Sequence, residues 1–267
     1  EIGVRLVGSE MCIRDRVKIG ITQIVEHQSL DDVCQGVIDS LKANGYGEDK
    51  IEISYKNAQG DFGTAQMIAQ EFKNTSDIVV AISTPSAQAA VNNIKDKPIF
   101  FSAITNPESA GVLAENVTGV SDRSPVKKQV ELIKELLPEA KKIGIVYNTS
   151  EQNSFYLTDE FKKEAEKNGY VVVVKGITNV NEIASALDTI LPEVDVLYTT
   201  IDNTIASTYP LIIDKSKKDN KPVIGATKSY VDQGALASEG ISDYKVGYQT
   251  GEMIVSCLLY TSPSPRD

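Results

Sequence analysis

The sequence offers proton-transfer chemistry one histidine, His27, and nucleophilic chemistry three cysteines, Cys12, Cys34 and Cys257. A Ser-His or Cys-His catalytic pair has a single base to draw on, and a His-rich zinc site has too few ligands. Side chains suited to recognition are more plentiful. In STPSAQAA (83–90), Thr84 and Ser86 flank Pro85 at the expected mouth of a helix. Hydroxyls and unpaired N–H groups there make a site for a carboxylate, although an ordinary helix cap would need only one of those side chains. In TIDNT (200–204), Asp202 and Asn203 have no Lys or Arg beside them in sequence. Asp202 therefore either holds an ammonium group or caps the following helix. Glu26 and His27 form an adjacent acid and base, read more simply as a cap or cleft lining. NAQGDFGTA (57–65) has two glycines but neither the spacing nor the Lys of a phosphate loop, and reads as a turn into a helix.

Strand and helix patterns alternate around these residues. VKIGITQIV (17–25) is a β-rich run, and residues 30–44 follow as a helix with Leu30, Val33, Val37, Ile38 and Leu41 on one stripe, stopping at Gly45. Cys34 lies in that helix and reads as a small buried hydrophobe. IEISYKN, a helix near 64–72, DIVVAIS, a helix opening at TPSAQAA, and KPIFFSA continue the series. Such alternation predicts a parallel sheet with helices on both faces. The series then repeats. Lys18-Ile-Gly-Ile21 recurs as Lys142-Ile-Gly-Ile145, Asn44-Gly-Tyr46 as Asn168-Gly-Tyr170, and KPIFFSA as KPVIGAT, all at one offset; DIVVAIST and DVLYTTID match at a slightly shorter one. Four matches in order predict two similar α/β lobes. Ligands of open parallel sheets sit beyond the carboxyl ends of the strands. Loops 23–27, 83–86 and 102–106 of the first lobe should then face loops 148–154, 202–204 and 226–229 of the second. Gln23, Glu26, Thr105 and Asn148 thereby join Thr84, Ser86, Asp202 and Asn203 as candidate ligand-binding residues.

Four of the five arginines lie in the two ends: Arg5 just before and Arg14 and Arg16 within LVGSEMCIRDR, and Arg266 within CLLYTSPSPRD. With ordinary codons, the last eleven residues back-translate to a DNA segment whose reverse complement, in another frame, encodes Leu6 to Asp15. The ends read as one sequencing-library adapter translated from opposite strands, so residues 1–16 and 256–267 are set aside as tails. Removing them is expected to leave thermal stability unchanged. Cys12 and Cys257 go with them, and Cys34 alone supports no disulfide framework. The chain carries a formal charge of −10, which disfavours nucleic acid and anionic membrane surfaces as partners. No run of about 18 apolar residues occurs.

GITQIVEHQSLDDVCQGVIDSLKANGY, NAQGD, ISTPSAQAA, FSAITNP, NVTGVSD, IGIVYN with the following NS, and TIDNT together resemble the solute-binding proteins of ABC importers, in the subgroup related to tryptophan- and tyrosine-binding components. The similarity covers residues 17–255. It implies a type I periplasmic-binding-protein fold, in which two Rossmann-like α/β lobes with parallel sheets are joined by a hinge and close on an amino acid, an aromatic one foremost. Lobe one would comprise 17–120, completed by 237–255, and lobe two 121–236. The resemblance implies that Thr84 and Ser86 take the ligand carboxylate, that Asp202 and Asn203 take its amine, and that Asn153 and Ser154 belong to the second-lobe ligand loop. Phe155, Tyr156 and Tyr230 are candidates for stacking on an aromatic ligand. It further implies a monomer without cofactor, metal or catalysis, located outside the cytoplasm, either periplasmic or a surface lipoprotein. Its partners would be an ABC permease and the ATPase of that permease. Two competing functions are a ligand-sensing domain of a regulator or receptor with the same fold, and an α/β enzyme using Glu26, His27 or Asp202 as acid or base.

Overall fold

The computed structural model describes residues 16–261, and in them strands and helices alternate from end to end. The first sheet contains β1 (Val17–Gln23), β2 (Ile51–Asn57), β3 (Ile78–Ile82), β4 (Ile99–Ser102) and β5 (Val117–Val120), in the spatial order β2-β1-β3-β4-β5. The second contains β6 (Lys142–Asn148), β7 (Val171–Ile177), β8 (Val196–Thr199), β9 (Val223–Gly225) and β10 (Ala237–Ser238), in the order β7-β6-β8-β9-β10. All pairings are parallel, and the two orders are the same once each sheet is counted from its own first strand. Helices α1 (Gln28–Ala43), α2 (Phe62–Thr75) and α3 (Thr84–Asn93) connect the first sheet. The second is served by α4 (Val126–Leu136), α5 (Gln152–Lys167), α6 (Ile183–Ile190), α7 (Asn203–Ser207), α8 (Tyr209–Lys218) and α9 (Lys228–Asp232), and α10 (Asp243–Thr261) returns to the first.

The repeated words of the sequence mark repeated bonds. Asp77, just before β3, accepts the N–H of Lys18 at 2.8 Å, and Asp195, just before β8, accepts that of Lys142 at 2.8 Å. Each aspartate thus pins the start of its lobe's first strand to the strand that will neighbour it. Asn44-Gly-Tyr46 and Asn168-Gly-Tyr170 end α1 and α5 in the same way. Gly45 and Gly169 adopt φ of 79° and 88°, and Tyr46 and Tyr170 donate back to Leu41 and Ala165 at 3.0 and 3.1 Å.

The chain leaves the first sheet after β5, and α4 packs Val126, Val130 and Ile133 onto Ile143 and Ile145 of β6. It was expected to return from residue 237. Instead Ala237 and Ser238 pair with Ile224 and Gly225 as β10, and the return follows Ser238. Gln129 of α4 ties the two crossings together, donating to Ser124 Oγ at 2.8 Å and to the Glu239 carbonyl at 2.7 Å while accepting from Tyr198 at 2.6 Å.

Helix α10 runs past residue 255, where the first lobe was expected to end. Residues 256–261, set aside as tail, continue it, and Leu258 is only 5% exposed within the first-lobe core. Truncation before residue 257 would therefore remove a core contact, which corrects the expectation of unchanged stability at that end. Arg16 pairs with Glu52 at 3.0 Å on the surface; residues 1–15 and 262–267 of the two tails lie outside the described residues.

Glycines set the distance between α10 and α1. A Cβ on Gly247 would lie 1.9 Å from the Val33 carbonyl oxygen, and one on Gly36 would lie 2.2 Å from that of Tyr244. Backbone meets backbone there, so no side chain can yield. Gly247→Ala is expected to push the helices apart and cost about 1–3 kcal/mol, the range for overpacked contacts, read as a lower urea midpoint. An unchanged midpoint would show that the close approach is dispensable.

Candidate ligand-binding site between the lobes

Strand order reverses direction between β1 and β3 in one sheet and between β6 and β8 in the other. Open parallel sheets bind ligands at such points, where adjacent loops diverge and helix N-termini converge. The loops after these four strands wall one cavity. His27 and Ser29 follow β1, Ser83 and Thr84 follow β3, Asn153 follows β6, and Asp202 and Asn203 follow β8. The two crossings add Asp122 and Asp243, and the segment after β9 adds Thr227 and Tyr230.

On the first-lobe side the backbone is strained. Ser83, at the N-cap of α3, has φ 84° and ψ 158°, a region that suits glycine, and Ala103, after β4, has φ 57°. Both line the cavity. The Ser83 N–H is spent on the Ser102 carbonyl at 3.0 Å, and the turn brings the first residues of α3 to the cavity wall. Ser83 Oγ is buried without a partner, as is Ser86 Oγ one position behind the wall. His27 reaches across to the second lobe, its Nε2 lying 3.3 Å from Asn203 Oδ1, while its buried Nδ1 has no partner. Burial holds its pKa down to about 4, against the smaller opposing effect of the Asn203 bond. Ser29 and Ser229 make a second bridge between lobes at 2.5 Å, and Thr227 bonds Ser229 at 2.7 Å.

The second-lobe side is organised by a residue that sequence reasoning did not select. Glu151 is buried beside the start of α5. Its Oε2 accepts the Asn203 N–H at 3.1 Å and the Asn203 amide at 2.5 Å, and its Oε1 accepts the N–H and hydroxyl of Thr204 at 3.0 and 2.8 Å. A lone glutamate inside the loop 148–154 carries no sequence signal, because its partners lie about fifty residues downstream. Asp202 is both helix cap and cavity wall: Oδ1 accepts from Ile205 N at 2.9 Å and Oδ2 from Asn148 N at 2.7 Å. Asn153 donates to the Ile201 carbonyl at 3.0 Å and leaves its Oδ1 buried and unpartnered at the cavity.

Of the residues chosen from sequence, Thr84, Asn153, Asp202 and Asn203 meet at the cavity. Gln23 is fully buried and donates to the Val25 carbonyl and to Asp31 at 2.9 and 2.8 Å, tying strand end to helix; with the exposed Glu26 it borders a separate recess. Asn148 braces the second-lobe loops through Thr204 and Ser150, Ser154 stands behind Asp202, and Thr105 stands against Asp122. The stacking candidates fare differently. Phe155 is 56% exposed and Tyr156 packs on the core beside α5. Tyr230 lines the cavity but is stacked on Tyr209 at 4.1 Å, its hydroxyl donating to the Thr200 carbonyl at 3.1 Å.

The cavity is electrostatically one-sided. Asp122, Asp202 and Asp243 line it, and among the described residues no Lys or Arg does so; Arg123, next to Asp122 in sequence, is exposed. Burial raises the Asp122 pKa to about 6, and raises Asp202 and Asp243 to about 7, with Glu151 adding to the effect at Asp202 and Asp122 at Asp243. Asn203 is shared with a wider outer cleft, which has Ile24, Val25, Phe62 and Pro85 on the first-lobe side and Val180 on the second.

Known proteins show the same arrangement. The family described as ABC transporter substrate binding protein matches residues 18–264. A tyrosine-binding protein of Clostridioides difficile (strain R20291) is 43% identical over 248 residues, which cover 90% of this chain and 72% of that protein. The solved ABC domain from Streptococcus pneumonia in complex with L-Trp is 38% identical, with a TM-score of 0.89 over 94% of this chain and 87% of that one. The ligand-free, open structure of a Clostridium difficile substrate-binding protein with adhesive properties is 44% identical, yet its TM-score is 0.67 over 92% of this chain and 86% of that one. The overlap is thus lower with the structure named as open than with the L-Trp complex, although its identity is higher. The chain belongs to the ABC transporter substrate-binding protein family, a family of solute-binding proteins rather than of enzymes, and has the type I periplasmic-binding-protein fold.

Proposed function

We propose that this protein is the extracytoplasmic binding component of an ABC importer, which closes its two lobes on an aromatic amino acid and presents it, chemically unchanged, to a permease and its ATPase. The observation that carries this reading is a set of buried polar atoms without partners around one cavity: Ser83 Oγ and His27 Nδ1 from the first lobe, Asn153 Oδ1 from the second, and Asp122 Oδ1 from a crossing. Each such atom costs about 1–3 kcal/mol when left unmet, so the site is built for a ligand bearing both donors and acceptors. An amino acid supplies them. Its carboxylate suits the N-terminus of α3 with Thr84 and Ser83, where helix amides and hydroxyls collect without a competing acid. Its ammonium suits the opposite wall of Asp202 and Asn203. The aromatic assignment rests on the tyrosine and L-Trp named for the relatives.

In this reading residues 17–120 with the returning helix move as one body and the intervening residues as another. A zwitterion meets both walls at once only when they are closed, and a ligand shifts such an equilibrium by its differential affinity for the two forms. Small-angle scattering should show a smaller radius of gyration with L-tyrosine, L-tryptophan or L-phenylalanine, and the ligand should be recovered intact after long incubation. Binding without contraction would remove the hinge mechanism, and conversion of the ligand would make the protein an enzyme. Asp202→Asn should weaken amino-acid binding by well over tenfold in calorimetry, since losing a desolvated charge partner costs roughly 2–5 kcal/mol.

The ligand-free closed form should also depend on pH in a definite sense. Asp122, Asp202 and Asp243 hold protons in the fold to about pH 6 or 7, whereas unfolded carboxyls lose them near pH 4. Their contribution to stability is complete at low pH and disappears as pH rises through that window. His27 acts in the opposite sense: its depressed pKa costs stability as pH falls from about 6.5 toward 4. Three groups oppose one, so melting of the free protein should be higher near pH 5 than near pH 8. Asp243→Asn should flatten this dependence and His27→Asn should steepen it.

A further inference from the structure

His27 is the only histidine of the chain, and its hydrogen bonding is dictated from the other lobe. Glu151 sets the direction. Its Oε2 accepts the Asn203 backbone N–H at 3.1 Å and the Asn203 side-chain amide at 2.5 Å, which turns Nδ2 of Asn203 toward Glu151 and leaves Oδ1 to the first lobe. The reversed amide would set Oδ1 against a carboxylate oxygen, two acceptors in contact. Asn203 Oδ1 lies 3.3 Å from His27 Nε2. A carbonyl oxygen cannot donate, so that contact is attractive only when Nε2 carries the proton. Burial keeps the ring neutral at pH 7, its pKa held down to about 4, and a neutral imidazole has one N–H. Nδ1 is therefore a bare lone pair, and it is buried without a partner on a residue of the cavity wall. A bridge between lobes would not by itself call for an imidazole, since the amide of a glutamine could donate to Asn203 as well.

We propose that Glu151 is a positioning residue which, through Asn203, holds His27 as its Nε2–H tautomer, and that His27 Nδ1 accepts a hydrogen bond from a donor on the ligand's ring, the phenol O–H of tyrosine or the indole N–H of tryptophan. This rests on the aromatic amino-acid reading above and specifies how the side chain is chosen, since phenylalanine has no such donor. In that reading the carboxylate and the ammonium already have their walls, and the group left for His27 is the ring. Asn203 borders both the cavity and the outer cleft, so the histidine bonded to it stands where the two meet. The tautomer of a first-lobe side chain is set by a second-lobe residue, so the acceptor is fixed only while the lobes are together. Closure and selection of the ring donor are then one event.

Calorimetry and magnetic resonance test this together. Wild-type protein should bind L-tyrosine about tenfold or more tighter than L-phenylalanine, and His27→Leu should reduce that preference to about threefold or less. The preference is a ratio, so loss of the His27–Asn203 bridge, which weakens both ligands alike, cancels from it. Glu151→Gln, which puts an amide N–H where only acceptors fit, should also lower the preference and let the Nδ1–H tautomer appear. Isotopically labelled histidine reports a single imidazole in this chain. Long-range proton–nitrogen spectra of the wild-type L-tyrosine complex should show Nε2 protonated and Nδ1 bare, with the Nδ1 resonance displaced by L-tyrosine and not by L-phenylalanine. That readout needs no variant to fold. Equal wild-type affinity for the two amino acids, an unchanged preference in His27→Leu, or an Nδ1–H tautomer in the wild-type complex would overturn the assignment of His27. An unchanged preference and tautomer in Glu151→Gln would overturn the positioning role. If wild-type protein bound none of L-tyrosine, L-tryptophan and L-phenylalanine, the amino-acid reading would fall first and this proposal with it.

Discussion

Negative charge enclosed between the lobes without a basic side chain is the constraint on which the site depends. Three aspartates line a cavity that holds no Lys or Arg among the described residues, and burial has pushed all three toward their protonated forms. A charge removed from water is expensive unless it is paired. At neutral pH the closed arrangement therefore stores an electrostatic cost that a cationic group entering the cavity would relieve. In the proposed function that cost is useful, because filling the deficit would give a ligand its differential affinity for the closed form.

The two walls meet that demand with different construction. The second lobe is fixed by hydrogen bonds that run between distant segments: Glu151 holds Asn203 and Thr204, and Asp202 joins the end of β6 to the start of α7. These bonds keep an acid and an amide facing the cavity whatever the other lobe does. The first lobe instead relies on backbone shape. Ser83 occupies a conformation that favours glycine and leaves its hydroxyl unbonded at the mouth of α3, so a local strain is held in place by the surrounding sheet. Acceptors dominate one wall and donors the other, which matches the polarity of a zwitterion laid across the cleft.

Much of the fold was legible because it is local and repeated. The words that recur in sequence are the strand starts, helix stops and aspartate pins that both lobes share, and periodicity alone orders them. Loops at strand ends were legible for the same reason, and Thr84, Asn153, Asp202 and Asn203 came from them. Gln23, a polar residue at a strand end, turns back to bond its own helix at Asp31, and no sequence pattern separates that from facing the cavity. Glu151, Asp122 and Asp243 were passed over because their significance lies in which remote groups they face. The boundary near residue 257 failed for a simpler reason: whatever its origin, a Leu placed in register with an amphipathic helix is buried with it.

Closure itself is then a balance between two kinds of contact. His27 with Asn203 and Ser29 with Ser229 join the lobes directly, and bonds of this kind contribute about 0.5–1.5 kcal/mol each. They suffice to define the closed geometry but not to offset three buried carboxylates on their own. Moving a population from mostly open to mostly closed takes several kcal/mol of differential binding. Neutral bridges alone would close the protein empty, and charge alone would leave the closed geometry undefined. With both present, the bridges set where the lobes stop, and in the proposed function the buried carboxylates make reaching that stop conditional on a bound ligand.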